Sequence, residues 1–221
     1  GVGTVGRLEA IKNQPLLLNA FARLLSRMPD AFLVLAGDGS ERDNLRALAA
    51  HLGIVERVRF LGQQGDVEQV LAALDVFALS SFSEGTPMSI IEAMAASVPI
   101  VSTAVGGIPE IVLDGKEGLL VQGVPPAAGG ELDPSAAEYA ERFADALHRL
   151  LAQPGLASDL ARNALERARR EFSLEAIAER YMNLYREAVK GLPPGQDPHS
   201  AQRVLSASVN ETRDAARYPP S

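Results

Sequence analysis

Short apolar runs alternate along this chain with segments in which apolar residues recur at helical spacing. Strands that are covered on both faces read as continuous apolar runs, and their alternation with helices is typical of a parallel sheet. The pattern therefore predicts an α/β fold in which a parallel sheet is flanked by helices. The six predicted strands are Val2–Gly6, Phe32–Ala36, Val58–Leu61, Val76–Leu79, Ile100–Ser102 and Gly118–Val121.

The segments between these runs carry the helical period. Leu17, Phe21, Leu24 and Met28 recur at i, i+4, i+7 and i+11, which predicts one apolar helix face. The other predicted helices cover residues 41–52, 66–73, 87–97, 135–152, 156–171 and 174–190.

Two segments show neither the apolar runs of the strands nor the helical spacing of apolar residues. Val124–Pro134 holds paired prolines and glycines and is predicted to be a flexible connection, and the polar residues 191–221 are predicted to be a disordered tail. We therefore expect one folded region over residues 1–190. Because the chain begins inside a predicted strand, we also expect that the full protein continues upstream of it.

Composition narrows the function classes. With 47% apolar residues among 221, the chain can bury one good core, and its net charge of −7 argues against a nucleic-acid partner. The absence of cysteine excludes disulfides and thiol chemistry and fits a reducing compartment. No apolar run approaches the ~20 residues of a membrane span. His51, His148 and His199 lack metal-ligand spacing, so no metal site is expected.

The most informative segment, residues 83–96, sets two carboxylates eight residues apart across a turn that leads into an apolar helix. Gly85 and Pro87 are expected to end the strand and begin the helix, with Thr86 as N-cap and Pro87 as the first helical residue. Glu84 then lies at the carboxyl end of a strand, where open α/β sheets bind ligands. Glu92 lies about 1.5 turns into the helix and can face the same crevice.

This layout fits a polyol phosphate, with helix N–H groups for the phosphate and carboxylates for the hydroxyls. Because Glu92 has apolar neighbours in the sequence, we expect its carboxylate to have a partner. The alternatives are a structural ion pair for Glu92, and a loop carboxylate or helix cap for Glu84.

A second pattern lies near the beginning of the chain. Arg7 is expected to end the first strand, and Lys12 to open the following helix. Two cations could bind a diphosphate without a metal, but such pairs taken alone are most often surface charges.

Together these motifs resemble a known family. Residues 84–92, followed by 97–103 and 106–112, are similar to the nucleotide-sugar-binding half of GT-B glycosyltransferases, above all retaining family 4 (glycosyl transferases group 1). Gly37-Asp38-Gly39 and residues 59–62 fall where the loops of that family do. The resemblance covers about residues 2–190 and implies a Rossmann-like domain with a C-terminal helical extension. Ser97 replaces the family's usual glycine, and we expect a slightly tighter turn there without functional change.

The resemblance assigns roles to the charged residues. It implies that Arg7 and Lys12 bind the diphosphate and stabilise it as a leaving group. It places Glu84 against the donor sugar, where the carboxylate accepts hydroxyl hydrogen bonds and stabilises an oxocarbenium-like charge. It makes Glu92 the acceptor for the two ribose hydroxyls.

The remaining predicted contacts also follow from the resemblance. Gly85, Thr86, Pro87 and Met88 would border the sugar and phosphate, and Met88 would pack on the nucleotide. Gly62 and Gln64 would border the base. No cofactor and no metal are expected, and the donor would be a nucleoside diphosphate sugar carrying UDP or GDP.

The resemblance also implies a larger, hexosyltransferase-like enzyme. An absent N-terminal domain would bind a carbohydrate or glycolipid acceptor, and helix 174–190 would cross back to it with an apolar stripe that is exposed in this chain. The isolated chain would then show little or no activity. We expect a cytoplasmic protein, with peripheral attachment of the parent enzyme to the inner face of the membrane left open.

Other functions remain as alternatives. One is a nucleotide-sugar epimerase or a phosphorylase of GT-B shape, although Lys116 and Lys190, which could carry a phosphorylase cofactor, are not expected in the crevice. Another is a non-catalytic nucleotide-sugar-binding or scaffolding domain, although the presence of Arg7, Lys12 and Glu92 speaks against it.

Overall fold

The computed structural model of this chain describes residues 1–125 and 134–190. Residues 126–133 of the predicted connection and the predicted tail at 191–221 lie outside the described residues.

Six parallel strands form one sheet, in the order β3-β2-β1-β4-β5-β6. Every predicted strand is confirmed, with each boundary shifted by at most one residue. This strand order is that of a Rossmann fold and confirms the predicted fold class. The strands are β1 (Val2–Val5), β2 (Leu33–Ala36), β3 (Val58–Gly62), β4 (Val76–Leu79), β5 (Ile100–Thr103) and β6 (Leu119–Val121).

Helices connect the strands and follow the last of them. The helices of the described residues are α1 (Gln14–Leu25), α2 (Arg42–His51), α3 (Val67–Ala72), α4 (Met88–Ala95), α5 (Ile108–Ile111), α6 (Pro134–Ala152), α7 (Pro154–Arg167) and α8 (Leu174–Lys190). The pattern missed α5 because four residues are too few to show a period. The pattern also predicted that α7 extends to residue 171, whereas the α-helix ends at Arg167 and a π-helical turn follows at Ala168–Phe172.

The sheet is covered on both faces. All four residues of β2, β4 and β5 are buried, as expected when helices pack on each side. Phe21 of α1 and Phe143 of α6 lie fully buried in the core. Tyr139 of α6 donates a hydrogen bond to Val121 O at 2.7 Å, which fixes α6 to β6.

The chain divides into two compact units, Gly1–Arg170 and Glu171–Ser221. The first holds the sheet and α1 to α7, and the described part of the second holds α8. The predicted apolar stripe of α8 is exposed, including Tyr181, Leu184 and Tyr185 at 56–60% exposure. A crossover role for α8 stays a prediction. In the part of the chain that the structure describes, no helix is long and apolar enough to cross a membrane.

The residue that follows the C-cap of α4 is a serine in the left-handed backbone conformation. Ser97 has a φ of 56°, and the chain closes a Schellman motif there, with Val98 N donating to Ala93 O at 2.9 Å and Ser97 N to Met94 O at 3.1 Å. The equivalent residue after α2 is Gly53, with a φ of 69° and the same two bonds at 2.9 and 3.0 Å. The expected tighter turn is therefore wrong, since Ser97 adopts the ordinary turn in a backbone conformation that suits glycine.

Candidate functional site

The predicted site residues converge at the centre of the sheet. β1 and β4 are neighbours, but the chain continues from β1 to β2 on one side and from β4 to β5 on the other. Such a switch point opens a crevice at the carboxyl ends of the two strands. Arg7 and Lys12 follow β1, and Glu84 follows β4.

Lys12 and Glu84 form an ion pair across this crevice. Lys12 Nζ lies 2.6 Å from Glu84 Oε1, and the two side chains are only 19% and 10% exposed. Ser81 Oγ also donates to Oε1, at 2.6 Å. Both bonds go to one oxygen, so among the described residues Glu84 Oε2 has no hydrogen-bond donor and remains able to accept one. Glu84 is thus neither a free loop carboxylate nor a cap of α4.

The loops after β1 and β4 are also bonded through their backbones. Ser80 Oγ donates to Asn13 O at 2.9 Å and to Lys12 O at 3.1 Å, and Phe82 N donates to Ile11 O at 2.9 Å. These bonds fix the distance between the two loops that border the crevice.

Sequence reasoning missed Ser80 and Ser81, which are 2% and 0% exposed. Two hydroxyls directly after an apolar strand are the signal that could have indicated them, because buried hydroxyls need partners. Thr103, at the end of β5, donates to Ser81 O at 2.8 Å and supports the same loop.

The position of Lys12 differs from the prediction. It does not open the following helix but ends a 3₁₀ turn, Ala10–Lys12, and α1 begins only at Gln14. Asn13 separates the two with a φ of 47°, a left-handed conformation that asparagine tolerates better than most residues.

Arg7 lies two residues beyond β1 rather than at its end, and it is exposed. Within the described residues its guanidinium has no hydrogen bond or ion pair, so it is available to an anion. Its backbone neighbours are fixed, because Gly6 N donates to Ala36 O and Leu8 N to Asp38 O, both at 2.9 Å.

The Gly37-Asp38-Gly39 turn, predicted to be structural, packs against this loop. A Cβ at Gly37 would lie 1.8 Å from Gly6 O, and one at Gly39 would lie 2.3 Å from Leu8 O. Ser40 Oγ donates to Glu9 at 2.9 Å, and this bond lowers the pKa of the Glu9 carboxyl. The loops after β1 and β2 therefore form one rigid edge of the crevice.

Two glycines after β5 hold the Glu84 loop from the other side. Gly107 N donates to Glu84 O at 3.0 Å. A Cβ at Gly106 would lie 1.9 Å from Glu84 O, and one at Gly107 would lie 2.1 Å from Gly85 O. These positions therefore require glycine because the two backbones touch there.

The beginning of α4 corrects a second prediction. Pro87 is the N-cap and Met88 the first helical residue, and no side chain caps the helix, so Thr86 is not the N-cap. The proline ring fixes φ but leaves ψ free, and a ψ of 105° keeps Pro87 extended. Gly85, Thr86 and Met88 are exposed at the crevice edge, with Met88 at 61%.

Glu92 also differs from expectation. It is exposed, and within residues 1–125 and 134–190 its side chain has no hydrogen bond or ion pair, so the expected burial and the structural ion-pair alternative are wrong, while the ribose contact stays a prediction. The helical period turns Ile90, Ala93 and Met94 into the core and leaves Glu92 outward. Apolar neighbours in sequence were not neighbours in space.

The predicted base-binding residues lie on edge strand β3 and the loop after it. Gly62 has a φ of 70°, and its carbonyl accepts from Gly37 N at 2.8 Å. Gln64 Nε2 donates to Leu61 O at 2.8 Å, so this side chain stabilises its own loop. In the described part of the chain, no group of three or more His, Cys, Asp or Glu could hold a metal ion.

Comparison with known proteins agrees with this geometry. The lipopolysaccharide core biosynthesis glycosyltransferase LpsE of Rhizobium meliloti is 38% identical over 83% of this chain and 48% of its own length. D-inositol 3-phosphate glycosyltransferase of Corynebacterium urealyticum is 34% identical over 95% of this chain and 47% of its own length. The chain thus spans about half the length of these relatives.

A solved structure, Anabaena Alr3699/HepE in complex with UDP, superposes with a TM-score of 0.72 at 27% identity, over 84% of this chain and 48% of that one. The model of the family described as glycosyl transferases group 1 matches residues 2–128, more than half of the chain. This chain therefore belongs to the glycosyl transferases group 1 family.

Proposed function

We propose that this chain is the donor-binding half of a glycosyltransferase that uses a UDP-sugar. The observation that carries the proposal is the meeting of Lys12 with Glu84 at the switch point, with Arg7 between β1 and Lys12 and without a hydrogen bond or ion pair to any described residue. Cations for a diphosphate and a carboxylate for sugar hydroxyls lie together there. The UDP bound by the Anabaena relative supports uracil as the base.

The charged groups stabilise opposite charges in the transition state. Arg7 and Lys12 bind the diphosphate, on which negative charge grows as the bond to the anomeric carbon breaks. Glu84 accepts hydrogen bonds from the sugar through Oε2 and stabilises the positive charge that develops on the ring. The two cations supply the charge that a metal would otherwise supply, so we propose a reaction without metal or cofactor.

In the proposed step, the acceptor attacks and the diphosphate leaves on the same face of the sugar. The acceptor hydroxyl attacks the anomeric carbon while the bond from that carbon to the diphosphate oxygen breaks. The electron pair stays on the diphosphate, and the hydroxyl proton passes to a diphosphate oxygen. The configuration at the anomeric carbon is retained.

The other predicted contacts surround this centre. The exposed Glu92 accepts the ribose hydroxyls, residues 85–88 border the sugar and phosphate, and Gly62 and Gln64 border the base. Since Lys12 is held by Glu84 in this structure, the diphosphate meets Arg7 first and then competes for the ammonium group.

The whole protein would be about twice this length, as its relatives are. We propose that its other half binds a carbohydrate or glycolipid acceptor and covers the exposed stripe of α8. The cysteine-free composition supports a cytoplasmic location, which cell fractionation would test.

Epimerase, phosphorylase and scaffold functions are not favoured. Lys116 lies 3.9 Å from Glu117, between β5 and β6, and its side chain is 64% exposed, so it is not a crevice lysine.

A thermal-shift panel of UDP, GDP and ADP, with and without magnesium, tests the proposal. A ligand at ~100 times its dissociation constant adds about 2.7 kcal/mol, a shift of several degrees. We expect a shift with UDP alone that does not depend on magnesium and is reduced in Arg7→Ala. Arg59→Ala on β3 is the matched control, because in the part of the chain that the structure describes this exposed arginine donates only to Glu56 O, just before its own strand. No shift with any nucleotide, or one that requires magnesium, would contradict the proposal.

A further inference from the structure

A buried amide joins α1 to the loop that carries Arg7. Gln14, the first residue of α1, is 3% exposed, and its Nε2 donates to Arg7 O at 2.9 Å. The N–H groups of Gly6 and Leu8 already donate to the last residue of β2 and to the turn that follows it. Gln14 therefore completes the support of this loop by fixing the carbonyl of Arg7 itself.

The other half of the same amide is unsatisfied. Gln14 Oε1 is buried and has no hydrogen-bond partner within residues 1–125 and 134–190. A buried polar atom without a partner destabilises a fold, and an apolar side chain of similar size would avoid that cost. The bond to Arg7 is thus the one contact that a glutamine makes here and a methionine could not.

We propose that Gln14 is a positioning residue for diphosphate binding. By fixing the Arg7 backbone it limits the positions of a guanidinium that has no hydrogen bond or ion pair among the described residues. A site organised before the ligand arrives loses less entropy on binding. This inference rests on the proposed function, since it takes Arg7 as a phosphate ligand.

The test compares two amides of α1. Gln14→Met removes the bond to the loop while keeping the side-chain volume. Asn19→Met is the control, because Asn19 Nδ2 donates at the same 2.9 Å to Pro15 O within the helix itself. Calorimetry on the 221-residue chain measures affinity for UDP and for uridine, and a melting curve measures stability.

For Gln14→Met we expect UDP to bind about threefold to tenfold more weakly, the range of one hydrogen bond. Uridine affinity is expected to stay unchanged, and the melting temperature to stay equal or rise. Asn19→Met is expected to leave the affinity for UDP unchanged. If the methionine variant does not fold, Gln14→Leu takes its place.

Equal losses for UDP and uridine, or unchanged UDP affinity in Gln14→Met while Arg7→Ala weakens it, would overturn this inference alone. If the unsubstituted chain bound no UDP, the proposed function would fail and the inference with it.

Discussion

Lys12 and Glu84 are 72 residues apart in the sequence, yet their side chains meet at 2.6 Å. The ammonium group is proposed to bind phosphate and the carboxylate to bind sugar, so in this structure each neutralises the other. Since the pair is mostly buried, its charges are screened less than those of a surface pair. We therefore expect binding of the donor to exchange one partner of Lys12 for another rather than to fill an uncharged crevice.

Substitution of Glu84 distinguishes the contribution of the sugar to donor affinity from that of the diphosphate. Glu84→Gln removes the negative charge that competes for Lys12 and that strengthens the hydrogen bonds from the sugar hydroxyls. UDP affinity is expected to stay equal or increase, while a UDP-sugar loses about 1.5–3 kcal/mol, the range of a hydrogen bond to a charged group. Calorimetry with UDP and UDP-glucose measures both. A loss of UDP affinity equal to that of the sugar conjugate would contradict the sugar role.

Substitution of Glu92 tests the ribose contact. Because Glu92 is exposed and has no partner in the described part of the chain, Glu92→Gln is expected to leave stability within about 0.5 kcal/mol. If it binds ribose, uridine and UDP lose affinity by the same factor. Glu68→Gln, an exposed glutamate on α3, is the control. Loss confined to phosphate-bearing ligands would show that Glu92 does not contact the ribose.

Ser97 is a site for stabilisation. A left-handed conformation costs a non-glycine residue about 1–2 kcal/mol, and the entropy of glycine returns about 0.5–1 of it. Ser97→Gly is therefore expected to raise the free energy of unfolding by about 0.5–1 kcal/mol in urea denaturation. Gly53→Ser, at the matching position after α2, is expected to lower it by a similar amount. An unchanged midpoint for both would mean that φ at these turns carries no strain.

Tyr139 links stability to alkaline pH. Burial raises the pKa of its hydroxyl to about 12, against ~10 in an unfolded chain. A folded-state pKa above the unfolded one supports stability below pH ~10 and loses that support as the pH rises toward 12. Tyr139→Phe removes the bond to Val121 O and is expected to cost about 1 kcal/mol at pH 7. The difference between the two proteins should shrink from pH 10 to 12, and a constant difference would contradict the linkage.

The sheet could be predicted from sequence because each strand is buried on both faces. Such strands appear as uninterrupted apolar runs, and in a parallel sheet their carboxyl ends share one edge. For that reason the pattern was enough to predict that Arg7 and Glu84 follow the carboxyl ends of strands, while their meeting at one crevice was implied only by the resemblance. Their roles needed the resemblance, since the spacing of Arg7 and Lys12 alone is common on protein surfaces.

What could not be predicted depends on side-chain direction and on long-range contact. The outward turn of Glu92 follows from helix phase, because Ile90, Ala93 and Met94 occupy the side of α4 that packs into the core. The buried bonds of Gln14 and Ser81 depend on which loops the strand order places together. A single glutamine such as Gln14 carries no sequence signal for its partner, whereas the paired hydroxyls after β4 could have indicated a buried contact.

The two glycines after β5 limit which substitutions the crevice tolerates. One methyl group at Gly106 would lie 1.9 Å from Glu84 O, much closer than an unbonded carbon and oxygen can approach. Even a glycine-to-alanine substitution in the loop after β5 would therefore displace Glu84, which lies in the loop after β4. The place of that carboxylate in the crevice therefore depends on two residues whose side chains are single hydrogen atoms.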